Sequence, residues 1–368
     1  MREFHVKSLD GIRAIAVMLV FWAHMDLWHI FPGVFGVNVF FLLSGFLITT
    51  LMMREHASRG SVSIKEFYIR RALRILPPMY IVLAIGVVLT VSGVLPGIID
   101  ARSVIMQCLH LTNYYLIAAG HPHLVPGLSV YWSLAVEEHY YLLFPFVFAF
   151  CYPRMGAKRM AMVLFVLAVA VIFWRTIIIA RNPVYTPRTW AATDTRIDSI
   201  LWGCILALWR NPALTPSTAE PLASWKSCVL ALTGLVATSF FYYNIFFKEA
   251  FGYTLESVCL IPLFCAAILK RDWLTVRLLN TKVLRWVGQI SYTLYLSHLM
   301  FFTLFRTNFP NWSRMVNALV VLAFTLLFCQ LIRMTVEIPL ARIRKKHSWT
   351  PSEESARDVF RDVPVQPV

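Results

Sequence analysis

Apolar runs of about 20 residues recur along the whole of this chain, and that recurrence limits its fold more than any other feature. Residues 34–53, for example, contain no ionisable side chain. As a helix such a run rises roughly 30 Å, the thickness of a bilayer's hydrocarbon core. Composition agrees: 58% of the 368 residues are hydrophobic and 14% are charged. A soluble domain carries about 25% charge. A disordered chain, a collagen-like fibre and a disulfide scaffold are excluded on the same grounds. The pattern predicts an all-α polytopic membrane protein embedded in a lipid bilayer.

Ten spans fit the hydropathy: 11–30, 34–53, 76–95, 131–150, 160–180, 198–209, 226–244, 254–269, 288–308 and 315–336. The sixth is short and needs tilt or flanking residues to cross. With these spans, one side carries 26 of the 34 Lys and Arg residues and the other side 8. By the positive-inside rule both termini are cytoplasmic. The net charge of +15 is spread loop by loop, so it does not point to nucleic acid. The first apolar run opens after Asp10 as a true span, with no cleavable leader expected. The moderately apolar stretch 104–118 is placed in a long external loop, 96–130, dipping toward the membrane surface. Residues 1–345 form the transmembrane domain, and 346–368 a polar, disordered cytoplasmic tail.

The seven cysteines lie mostly in apolar runs without CxxC spacing and read as small buried hydrophobes. His121 and His123 flank Pro122 with no third ligand nearby, so no metal is expected. P-loop, Rossmann, GxSxG and HExxH patterns are absent. Ser63-Ile64-Lys65-Glu66 is a capping box that starts an amphipathic cytoplasmic helix. Arg70, Arg71 and Arg74 follow on it, and Pro77-Pro78 is expected to break it before the third span.

Ionisable groups inside a bilayer are costly, so each one is a candidate for function. His24 lies in the outer half of the first span, eleven residues after Arg13. Eleven residues are about three helical turns, roughly 16 Å, and return to the same face. An elongated anion could be held at Arg13 and reacted at His24. Otherwise Arg13 is an interfacial anchor and His24 a packing histidine. In span four, Ser133, Glu137 and Tyr141 form a polar stripe, with Glu137 at a depth similar to His24. Glu137 could orient an imidazole, or the stripe could clamp two helices. Asp194, Arg196 and Asp198 flank the external mouth of span six, binding a polar acceptor or pairing with one another. His298, mid-span, either lines a site or packs.

Several segments together resemble the acyltransferase-3 family of integral-membrane acyltransferases. They include Leu9-Asp10-Gly11-Ile12-Arg13 followed by His24, the Gly36–Phe46 run and Phe67–Pro77. Trp132–Pro145, Thr195–Ser199, Ser291–His298 and Glu337-Ile338-Pro339 follow in the family's order across nearly all of residues 8–345. Asn38 stands where many relatives carry Asp, and Ser297 where Trp often precedes the histidine.

The resemblance implies transfer of an acyl group, often acetyl, from acyl-coenzyme A to a hydroxyl of a carbohydrate or glycolipid acceptor. It also implies a bacterial inner membrane, His24 as the catalytic residue, and Arg13, Arg71 and Arg74 serving the coenzyme or the transfer path. Acetyl-CoA would then be a co-substrate, with no bound cofactor. The short tail leads to the expectation of no fused SGNH-type domain. An exporter of acylated glycans would suit the same architecture, but no internal repeat or paired interrupted helices are found. Acylation of a small lipophilic molecule such as a macrolide would use the same chemistry.

Overall fold

The computed structural model describes residues 6–25, 33–119, 123–182 and 187–347. Residues 348–368, which hold nearly all of the expected tail, lie outside the described residues, as do His121 and Pro122. Among the described residues every regular element is helical. Five helical stretches are long and apolar enough to cross a membrane: Gly33–Arg59, Ile64–Val91, Tyr131–Arg181, Ile245–Leu269 and Arg314–Lys346. The chain is an all-α membrane protein.

The principal helices are α1 (Lys7–His24), α2 (Gly33–Arg59), α3 (Ile64–Val91), α4 (Tyr131–Arg181) and α5 (Thr193–Trp209). They continue with α6 (Trp225–Phe240), α7 (Tyr253–Leu269), α8 (Lys282–Asn308), α9 (Arg314–Ile332) and α10 (Ile338–Lys346). A π-helical turn, Arg333–Glu337, joins the last two. The stretch 104–118 forms two short helices, Ala101–Cys108 and Thr112–Ala118, the second packed against α4. Ser103, Gln107, Thr112 and Asn113 are buried there. The long loop is therefore folded into the protein instead of lying along its surface. Gln107 explains part of this, because its amide accepts from Val125 N at 3.3 Å.

α4 breaks once, at Gly156, whose φ of 71° and ψ of 173° leave the helical region. A side chain is strained at that φ, so glycine serves the turn. His139 and Arg175 both meet residues near the start of α5, at Thr193 and Asp198. A straight helix would hold them roughly 54 Å apart, so the limbs before and after Gly156 run back past each other. This is the helix pair expected at 131–150 and 160–180.

Pro77 and Pro78 do not break α3, contrary to the sequence expectation. The Tyr292 hydroxyl donates to Ile75 O at 2.9 Å, and Tyr131 donates to Met79 O at 3.2 Å. These bonds tie the segment around the prolines to neighbouring helices, while the carbonyls that lose their helical donors are Leu73 O and Arg74 O. The capping box is half formed. Ser63 Oγ accepts from Glu66 N at 3.3 Å, whereas Ser63 N is taken by Glu55 Oε1 at 2.9 Å.

α1 packs between α8 and α2. Its approach to α8 is close because Gly288 has no side chain: a Cβ there would stand 1.9 Å from Asp10 O. That contact brings the polar face of α1 against α8, where Ser291, Tyr295 and His298 follow.

Candidate active site

A cavity of about 520 Å³ opens among α1, α2, α3, α4, α8 and the turn before α10. Arg13, Arg71, Arg74, Ser133, Glu137 and Tyr141 all line it. The polar stripe of α4 and the arginine face of α3 therefore share one chamber.

The arginines of this wall differ in what they hold. Arg13 pairs with Asp10 at 3.0 Å, and Arg70 with Glu55 at 3.2 Å. Arg333 donates to Gln289 Oε1 at 2.6 Å. Arg71 instead lies over two aromatic faces, 5.1 Å from the Tyr141 centroid and 5.7 Å from that of Phe67. Among the described residues, neither Arg71 nor Arg74 has a carboxylate within salt-bridge distance. Two guanidinium groups line the cavity without a salt-bridge partner among the described residues, and a guanidinium fork matches phosphate geometry.

Glu137 sits farther along the same wall. Ser44 Oγ donates to its Oε1 at 3.1 Å, and the Tyr141 hydroxyl lies 3.2 Å from Oε2. Ser133 Oγ meets the Tyr295 hydroxyl at 2.6 Å. Tyr295 also lines the cavity.

His24 is half-buried and is not a lining residue of the cavity. It is joined to the cavity through α8. His24 Nδ1 lies 3.1 Å from His298 Nε2, and the His298 and Tyr295 rings are 5.9 Å apart, centre to centre. His298 is fully buried, its Nδ1 2.7 Å from Tyr295 O. Arg13 and His24 thus stand on one helix, the first at the chamber and the second beside the α8 histidine. Glu137 is held by α2 and its own helix, whereas the ring contact of His24 is with His298.

The outer trio is dispersed. Asp198 is buried and takes a bidentate pair from Arg175, with both N–O distances 3.0 Å. Arg196 is buried, its guanidinium 3.7 Å from the Tyr253 ring centroid, and it donates to Asn38 Oδ1. Asn38 Nδ2 in turn donates to Glu256. An aspartate at position 38 would lack that donor, which gives the Asn its reason. Asp194 pairs with Arg188 and accepts from Trp174 Nε1 at 2.7 Å, with its side chain 40% exposed. The three therefore find other partners, not one another, and none lines the cavity.

Sequence reading missed Arg175 and the pairing of Ser133 with Tyr295. Arg175 carried a signal: it is the lone ionisable group of residues 160–180. Which acid it meets depends on helix packing. Glu337 lines the cavity too, accepting from Thr293 Oγ1 at 2.6 Å. Among the described residues no group of three or more His, Cys, Asp or Glu side chains could hold a metal ion.

Comparison with known proteins adds an independent line. The acyltransferase domain family profile matches residues 6–334. The peptidoglycan O-acetyltransferase OatA of Listeria monocytogenes is 28% identical over 362 residues, covering 92% of this chain and 56% of the relative. The O-acetyltransferase OatA of Staphylococcus aureus is 26% identical over 352 residues, with 93% and 58% covered. The chain spans less than two thirds of the length of these relatives. No solved structure matches it.

Proposed function

The chain belongs to the acyltransferase-3 family, and from that premise we propose that it is an O-acyltransferase using acetyl-coenzyme A. The acceptor is a carbohydrate hydroxyl, with peptidoglycan the first candidate because a relative is named for it. The observation that carries this reading is the pair Arg71 and Arg74, lining a 520 Å³ cavity with no salt-bridge partner among the described residues. Coenzyme A presents phosphates, which suit such a wall, and a long thin arm that could extend toward Ser133 and Tyr295 on the same lining.

The chemistry falls to His24. An alcohol is a weak nucleophile at neutral pH, and a positioned imidazole helps typically by 10²–10⁴-fold. His24 takes the hydroxyl proton as the oxygen attacks the thioester carbonyl carbon. The C–S bond breaks, and the leaving thiolate takes that proton from His24. In the covalent variant His24 first receives the acetyl group and then passes it to the acceptor oxygen. Glu137 supports the chamber wall that the donor's arm would pass on its way to His24. The acceptor is proposed to enter past the half-exposed Asp194, while Arg196 and Asp198 hold the helices of that entrance together.

The topology completes the proposal: ten spans, both termini cytoplasmic, residence in the inner membrane of a bacterium. The arginine wall then faces the cytoplasm, where acetyl-CoA is made. The test is transfer of labelled acetyl from acetyl-CoA to peptidoglycan fragments by the chain in proteoliposomes. The wild type is expected to transfer, and His24→Ala to lose at least about 10²-fold while inserting normally. Undiminished transfer by a well-inserted His24→Ala variant overturns the catalytic assignment. Transfer that is indifferent to acetyl-CoA overturns the donor.

A further inference from the structure

We infer that His298 is a positioning residue for acyl transfer, holding His24 in the tautomer that keeps its lone pair on Nε2. The inference rests on the reading of His24 as base or acyl carrier.

The argument is one of donors and acceptors. His298 Nδ1 lies 2.7 Å from Tyr295 O and 3.2 Å from Leu294 O. Carbonyl oxygens only accept, so Nδ1 carries the hydrogen and, in the neutral ring, Nε2 carries the lone pair. That nitrogen lies 3.1 Å from His24 Nδ1, which must then be the donor. The same His24 nitrogen lies 2.9 Å from Val20 O, which also requires a hydrogen there. Both acceptors therefore specify the same tautomer, Nδ1–H, leaving Nε2 as the basic nitrogen. A single carbonyl four residues back on the same helix can favour a tautomer. Two acceptors from two helices also fix the plane of the ring.

The support behind His298 is itself rigid. Tyr295, whose carbonyl receives the His298 hydrogen, has its hydroxyl held by Ser133 at 2.6 Å and lies 3.2 Å from Val130 O. His298 is fully buried. α8 is thereby tied to α4 on one side and to α1 on the other, at the level of the reacting group. Glu137, the carboxylate expected from sequence to orient the imidazole, has its two oxygens engaged by Ser44 and Tyr141.

A neutral partner differs in consequence from the aspartate of a hydrolase triad. A carboxylate would bring a permanent charge beside His24 in a low-dielectric bundle, with its desolvation cost. A neutral His298 favours the tautomer without adding a charge of its own. Once Nε2 has taken the hydroxyl proton, the Nδ1–H can be shared with the lone pair of His298, which spreads the transient positive charge.

The experiment uses the full chain in proteoliposomes, with ¹⁵N-labelled histidine read by NMR and the His24 signal assigned by its loss in His24→Ala. Wild-type His24 is expected to show a protonated Nδ1 and a bare Nε2. His298→Leu removes the acceptor and should raise the Nε2–H fraction. His298→Gln can place an amide oxygen near the lost Nε2 and should restore most of the preference. In acetyl transfer to peptidoglycan fragments, His298→Leu should lower kcat roughly ten- to hundred-fold. Its acetyl-CoA KM should stay within about two-fold, and His298→Gln should recover most of the loss.

An Nε2–H tautomer in the wild type overturns the inference, as does a tautomer population unmoved by His298→Leu. Equal losses of kcat in the Leu and Gln variants overturn it too, because they reduce His298 to packing. A fully active His24→Ala enzyme with the expected NMR result instead removes the catalytic reading while the hydrogen-bond assignment stands.

Discussion

Arg175 and the Arg71–Arg74 pair are cationic groups within one helical bundle, and they are treated in opposite ways. Arg175 is buried completely, and every arm of its guanidinium is used. Nε donates to Ala250 O at 3.2 Å, Nη1 to Thr195 O at 2.8 Å, and both Nη atoms to Asp198. Thr254 completes the set. Arg71 rests on aromatic faces and, like Arg74, lacks an acid partner among the described residues. A saturated arginine has no capacity left for a ligand, whereas an unsaturated one beside a cavity has. The difference separates a cation that ties helices together from cations that the proposed function assigns to the coenzyme.

Substitutions at four positions probe that contrast. The largest effect on stability is expected from Arg175→Met, which leaves Asp198 buried without its counterion. Removing one partner of a buried pair costs about 3–5 kcal/mol. Thermal melting in detergent should show it as a large drop in Tm, with the amount of folded protein falling in parallel. An unchanged Tm would erase the distinction between the two regions.

Next come Arg71→Ala and Arg74→Ala. Loss of one hydrogen bond to a charged group costs about 1.5–3 kcal/mol, or roughly 10- to 150-fold in the KM for acetyl-CoA. Melting should stay within about 1 kcal/mol of wild type, since no salt bridge is lost and a cation–π contact such as those of Arg71 contributes about 0.5–1 kcal/mol. Arg74→Lys should recover only part of the affinity, because a planar fork becomes a point charge. Donor KM values unmoved in both Ala variants would make these residues membrane anchors.

The smallest effect belongs to Asp194→Ala. Its pair with Arg188 is 30% and 40% exposed on its two sides, so it contributes about 0–1 kcal/mol. A Tm fall comparable with that of Arg175→Met would place the outer entrance in the same class as the buried pair.

Much of the site was legible because membrane helices carry few polar residues. Arg13, Arg71, Arg74, Ser133, Glu137 and Tyr141 could be singled out by spacing on single helices, and all of them line one cavity. Helical period alone puts residues four or eleven apart on one face. The prolines at 77 and 78 were misleading, because the rule that breaks an isolated helix ignores the packing of α3 against α8 and α10. Asp198 was misplaced for a related reason. Proximity in sequence suggested Arg196 as its partner, and packing supplied Arg175 from 23 residues away.

By itself the sequence determined the solvent, the class of fold and the residues too costly to bury without purpose. Each of these follows from transfer free energies and helical geometry, which are properties of short segments. The tertiary structure decided who pairs with whom. His24 meets His298 across 274 residues of chain, and Asn38 meets Arg196 across 158. Such partners are chosen by which helix faces can approach. Here that turns on local shape, as at Gly288, where an absent side chain lets α1 come against α8 and brings the two histidines within hydrogen-bonding distance.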